Sequence, residues 1–162
     1  MASARPRFWV DIRRRVRYSG FMESRGRKAA GEGENRMVTG FYRVSRGGLA
    51  LEAQAAALDE GLTVTVGGGR SHVGSVAIAQ PRPSLRGDGT VSCTCSVWNQ
   101  LGHKDEAVAR PIAERLCRAL NAVVVVSAGV HLTGADAAQI EMVERLAEEL
   151  AEKILEDRKT AG

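Results

Sequence analysis

The chain has 162 residues and a formal net charge of +4 at pH 7, which sets the expectation of one domain with a tail. Hydrophobic residues make up 44% and charged residues 26%, a globular balance, whereas aromatics at 4% leave few platforms for stacking nucleobases and make nucleic acid an unexpected partner. The charge is uneven: residues 1–48 carry 12 Lys/Arg against 4 Asp/Glu and residues 49–162 carry 11 against 15, so the basic character belongs to the N-terminal third.

Residues 1–36 are rich in Arg, Gly, Ser and Glu and have too little apolar area to build a core. They are expected to be a disordered basic leader, with Met22 and Met37 as alternative starts and the ordered domain over residues 37–159. Residues 1–22 offer no apolar core of a secretory signal, and the longest apolar run, Ala122 to Val126, is far short of the ~20 residues needed to span a bilayer. Three cysteines, Cys93, Cys95 and Cys117, without a CxxC pair, are expected to be reduced core residues of a cytoplasmic protein.

From Met37 the pattern becomes periodic. Strands are expected over 41–45, 49–58, 62–66, 74–80 and 90–98, the last with Val91, Cys93, Cys95 and Val97 on one face and Thr90, Ser92, Thr94 and Ser96 on the other. The short connections between these strands require antiparallel pairing. The period then changes. Residues 103–121 place Val108, Ile112, Leu116 and Leu120 on a helical stripe, with Asp105 and Glu106 suited to its N-terminal dipole and Pro111 expected to kink it. Residues 122–132 read as a buried strand. Residues 134–159 read as a second helix with Ile140, Val143, Leu146, Ala147, Leu150 and Ile154 inward, Thr133 or Asp136 as its cap, and surface pairs Glu141–Arg145 and Glu149–Lys153. The expected fold class is α+β: an antiparallel sheet with two helices packed against it, strands first, then helix, strand, helix.

Three loops carry the candidate chemistry. "GGGRSHVG" (67–74) lies between two strands, so it is neither a Rossmann fingerprint nor a P-loop. Its glycines allow close backbone approach to an anion and Arg70 adds charge; a bulged hairpin is the alternative. "LGHKDE" (101–106) puts Gly102 before a helix start and Lys104 within reach of a phosphate, with simple capping by Asp105 as the alternative. "SAGVHL" (127–132) brings the third histidine. The three histidines, His72, His103 and His131, each sit beside a glycine-bearing loop, and three readings stand: separate structural residues, a shared polar ligand pocket, or a three-histidine zinc site, the last unsupported by HxH or HxxxH spacing. Arg82 and Arg86 lie on a proline-stiffened loop, and no activated Ser or Cys nucleophile is evident.

These segments, "TVTVGGGRSHVGSVAIAQPRPSL", "SVWNQLGHKDE" and "VVVVSAGVHLTGADAAQI", resemble the LpdD-like family, small accessory proteins of gallate-type decarboxylases regarded as chaperones of prenylated flavin mononucleotide and similar to proteasome assembly chaperones. The resemblance spans about residues 38–157. The family loop reads like GGDKPHIG; here Gly69, Arg70 and Ser71 stand at the D-K-P positions, so the basic residue is kept and the acid is absent. The histidine and glycine persist as His72 and Gly74, the GHK-D motif as Gly102, His103, Lys104 and Asp105, and the G-I-H segment as Gly129, Val130 and His131.

The resemblance implies a non-catalytic carrier of prenylated flavin mononucleotide (prenylated FMN) serving a UbiD-type decarboxylase, supplied by a flavin prenyltransferase and acting as a homodimer. The expected ligand-binding residues are Gly68, Arg70, His72, Gly74, Arg82, Gly102, His103, Lys104 and His131, with no metal. A protein-assembly chaperone of the proteasome-assembly type, without a flavin, is the alternative.

Overall fold

The computed structural model describes residues 38–160, so the expected leader lies outside the described residues. Five strands come first: β1 (Val38–Arg46), β2 (Leu49–Leu58), β3 (Gly61–Gly69), β4 (Ser75–Pro83) and β5 (Val91–Asn99). Helix α1 (Glu106–Leu120), strand β6 (Val123–His131) and helix α2 (Ala137–Thr160) follow. They form one six-stranded sheet in the order β1-β2-β3-β6-β4-β5. The class is the expected α+β, and the sheet is mostly antiparallel, but β6 runs parallel to β3 and antiparallel to β4.

That insertion corrects one expectation. β3 and β4 are joined by a short loop yet do not pair with each other; β6 lies between them. The physical reason is in β6 itself. Its run of four valines is the chain's most β-prone segment, and a central place gives it a ladder on both sides and a buried face. Helix α1 supplies the long connection that β6 needs to return parallel to β5.

Both helices lie on one face. α1 packs against β4, β5 and β6, α2 against β1 and β2, and the two helices touch each other. Alternation in the strands sends Leu51, Ala53 and Ala55, Leu62, Val64 and Val66, Ala77 and Ala79, and Val124, Val126 and Ala128 into this layer. They meet Val108, Ile112 and Leu116 of α1 and Leu146, Leu150 and Ile154 of α2. Ile140 departs from the expected stripe and is exposed; the buried positions of α2 begin at Val143. α1 continues through Pro111, whose ring lies outside the packed face.

The helix ends follow local chemistry. Asp136 Oδ1 accepts the Gln139 N–H at 2.7 Å and Gln139 Oε1 accepts the Asp136 N–H at 3.1 Å, a reciprocal capping box at the start of α2. Glu141 pairs with Arg145 as expected, at 2.6 Å. Glu149 instead pairs with Arg46 at 2.7 Å, and Lys153 donates to the Arg43 carbonyl at 2.9 Å, so these side chains tie α2 to β1 rather than to each other.

Among the described residues, the opposite face of the sheet carries no helix. Phe41, Gln54, Thr65, Ser127, Val76 and Trp98 occupy one continuous register row across it, and Phe41, Ile78 and Trp98 are exposed. Cys117 is buried on the inward face of α1, and burial pushes its thiol up to about 11. Cys93 and Cys95 are half-buried on β5, and burial, followed by the Glu114 charge, raises the Cys95 thiol. Cys95 and Cys117 are therefore held as thiols at neutral pH.

Candidate functional site

The β3–β4 connection must cross β6, because β6 lies between the strands that it joins. Residues 70–73 make the crossing over the end of β6, and the glycines are explained by it. A Cβ at Gly129 would fall on the His72 carbonyl, and a Cβ at Gly67 would fall on the Ser71 side chain. Gly69 has a positive φ of 60° and pairs in register with His131, where the chain leaves the sheet. Arg70 N–H donates to the His131 carbonyl at 3.2 Å and Gly74 N–H to the Ala128 carbonyl at 2.9 Å, which pins both ends of the crossing to β6.

The crossing hangs His72 at the sheet end, where the turn before α1 meets it. Gln100 N–H donates to the Gly74 carbonyl at 2.8 Å, and His103 N–H donates to the Gln100 carbonyl at 3.0 Å. A Cβ at Gly74 would overlap the Asp105 carboxylate, so this glycine is what lets the turn close. His72 Nε2 lies 2.9 Å from His103 Nδ1, with the rings tilted at a centroid separation of 4.6 Å. The His131 ring stands edge-on to His72 at 6.4 Å.

Asp105 completes the cluster. Its side chain is 7% exposed. Oδ1 accepts the Val130 N–H at 2.7 Å. Oδ2 lies 3.4 Å from His72 Nε2 and 3.3 Å from His103 Nδ1. Although it occupies the N-cap position of α1, its side chain makes no capping bond. The simple-cap reading of Asp105 is therefore corrected: the carboxylate turns away from the helix toward β6 and the histidines. Beside it, buried Ser75 donates to Asn99 Oδ1 and Asn99 Nδ2 donates to Glu106 Oε2 at 2.7 Å, a polar chain linking β4, β5 and α1.

Of the expected binding residues, Gly68, Arg70, His72, Gly74, Gly102, His103, Lys104 and His131 belong to the segments that meet here. Arg70 and Lys104 are exposed at this end. Arg82 is not brought here. It sits near the far end of β4, seven residues from Ser75 or roughly 23 Å along the strand, where it donates to Thr94 Oγ1 and the Pro83 carbonyl. Its place in the sequence beside Pro81 and Pro83 suggests a loop, but the strand continues through both prolines. Sequence reading also missed Asp105 as a member of the cluster, Ser75 and Asn99 behind it, and Gly129 as the crossing point. The acid in "GHKDE" was the one available signal for Asp105.

Grooves of about 610, 420 and 550 Å³ lie elsewhere: between α1 and α2, at the β2–β3 turn, and at the β4–β5 turn. None of the three is lined by a histidine. The histidine cluster lies at the C-terminal end of β6, with His72 and His103 half-buried, Asp105 buried and His131 exposed. No described helix is long and apolar enough to cross a membrane.

Comparison with curated proteins gives no match. Among solved structures, the chain is similar to one from "Crystal Structure of a Novel Chaperone Complex for Yeast 20S Proteasome Assembly", at 12% identity and a TM-score of 0.40, covering 71% of this chain and 99% of that one. The prenylated flavin chaperone LpdD-like domain matches residues 45–159, a span that holds every strand and helix from β2 onward, save the last residue of α2, and all three histidine loops. The chain belongs to the LpdD-like prenylated flavin chaperone family.

Proposed function

We propose that this protein is a non-catalytic carrier that binds prenylated FMN at the histidine end of the sheet and hands it to a UbiD-type decarboxylase, with a flavin prenyltransferase as its source. The observation that supports the reading most is the convergence of three separate glycine-and-histidine loops on one sheet end, within a chain of this family. The residues fit such a ligand. Arg70 and Lys104 offer exposed cations for the phosphate, the glycine loop offers backbone close to the surface, and His103 and His131 offer polar edges for the ring system. The flavin's own chemistry would be used in the partner enzyme. A cytoplasmic homodimer is the assembly that fits, with the sheet face on which Phe41, Ile78 and Trp98 are exposed as its contact.

The test is titration of the full chain with prenylated FMN, followed by flavin absorbance. The parent should bind one flavin per chain. Lys104→Ala should weaken binding by about 1–3 kcal/mol, the loss of a charge-assisted bond to phosphate. His131→Ala should weaken binding while leaving the melt unchanged. A chain that binds no flavin but captures a partner protein from its host would favour the assembly-chaperone alternative, and Lys104→Ala binding like the parent would remove the phosphate assignment.

A further inference from the structure

Three ligand-type atoms meet at one point: His72 Nε2, His103 Nδ1 and Asp105 Oδ2. Their separations are 2.9, 3.4 and 3.3 Å. Ligand atoms held about 2.0–2.1 Å from a zinc-class ion lie about 2.8–3.0 Å apart at octahedral and about 3.3–3.4 Å apart at tetrahedral angles. The triangle falls in that range on all three sides.

The surroundings of His72 fix the tautomer that such a site requires of it. His72 Nδ1 lies 3.1 Å from the Arg70 carbonyl oxygen. A carbonyl only accepts, so Nδ1 carries the hydrogen, and in the neutral ring Nε2 presents a lone pair to the triangle. A backbone carbonyl on the far nitrogen is the usual support of a metal-ligating histidine. Asp105 is set up in the same way, with Oδ1 held by the Val130 N–H and Oδ2 left to face the imidazoles from a nearly buried side chain. With His72 Nε2 the acceptor, His103 Nδ1 carries the hydrogen between them, and an ion at this point takes that hydrogen's place when His103 adopts its other tautomer; two imidazoles and one carboxylate, brought from the crossing loop and the α1 turn, thus converge on one volume. His131 stands outside the triangle.

We propose that His72, His103 and Asp105 form a binding site for one divalent transition-metal ion of the zinc class. Three protein ligands leave at least one coordination position for water or an anionic oxygen. The mixed nitrogen and oxygen set suits zinc, cobalt, manganese or ferrous iron better than magnesium or calcium. The site does not depend on flavin carriage, because all three ligands are side chains of this chain.

The experiment uses the tag-free full chain, stripped with chelator and free of flavin, titrated with zinc chloride and, separately, with cobalt chloride. The chain has only three histidines, so their imidazole proton signals can be followed one by one. Zinc should bind with one equivalent per chain and shift two of the three histidine signals, those lost in His72→Ala and His103→Ala. Each of these variants should lower zinc affinity by more than the roughly 10–100-fold typical of losing a supporting contact. His131→Ala and a Cys93→Ser/Cys95→Ser double variant should bind as the parent does. Gly74→Ala, which keeps every ligand but pushes a methyl group against Asp105, should weaken zinc by at least about 10-fold if the triangle is the site. The parent's cobalt spectrum should lack thiolate charge-transfer bands. No saturable zinc binding by the parent would leave a shared proton between the imidazoles and overturn the proposal. So would zinc binding that shifts no histidine signal or is lost with the cysteines. Because zinc is titrated without flavin, failure of this site and failure of the carrier reading are separate results.

Discussion

Asp105 shows how much one side chain carries here. Its two oxygens serve different elements: Oδ1 holds the β6 backbone at Val130, and Oδ2 faces His72 and His103. Asp105→Ala removes the acceptor of a backbone N–H in the interior, so it should cost about 1–3 kcal/mol in denaturant melts. Asp105→Asn keeps an amide oxygen for Val130 and should recover most of that loss. An Asn variant as unstable as the Ala variant would mean that charge, and not the Val130 bond, stabilises the position. The residue was visible in the sequence only as an acid at a helix start, where the dipole accounts for it. Apart from His103 two residues before it, its partners Val130 and His72 are 25 and more residues away, and no local pattern reports a contact of that range.

At the level of elements, Tyr42 links the outer strand β1 to α2. Its hydroxyl donates to Asp157 Oδ2 at 2.6 Å, and the residue is 8% exposed. Burial first, then this hydrogen bond, pushes the phenol from 10.0 up to about 12. A raised folded-state value favours the protonated phenol, so this contribution is fully present below about pH 10 and is lost as pH rises from there through about 12. Tyr42→Phe should cost about 1.5–3 kcal/mol at neutral pH, as for a bond to a charged acceptor, and should lose less stability than the parent between pH 10 and 12. Equal alkaline slopes for variant and parent would show that Tyr42 titrates as it does in the unfolded chain. The strands and helices themselves were legible because alternation and the 3.6-residue stripe are local signals. The α2 cap at Asp136 was legible for the same reason. The partners of Glu149 and Lys153 were not, since β1 lies about a hundred residues away and offers them better acceptors and donors than their helix neighbours.

Over the whole molecule, β6 joins two antiparallel sets of strands, β1-β2-β3 and β4-β5, into one sheet. The β3–β4 loop can close over β6 only where β6 has no side chain, at Gly129. Gly129→Ala should therefore cost at least the roughly 1–3 kcal/mol of overpacking and displace His72 from His103. Thermal melts give the first quantity, and the histidine proton signals of the variant give the second. A variant with the parent's melt and unshifted His72 and His103 signals would show that the crossing has slack.

The sequence alone determined the order of elements, the α+β class, the apolar layer between sheet and helices, and the three loops that hold the histidines. Each is set by side-chain periodicity or turn chemistry within a dozen residues, so each can be read from a window of that size. Only the tertiary structure decided that β6 enters between β3 and β4, that Arg82 lies at the other end of the sheet, and that Asp105 joins His72 and His103. These depend on which backbone edges remain unpaired when the last strand arrives. A valine-rich strand that can bury one face and satisfy both edges displaces the hairpin that short loops alone would predict.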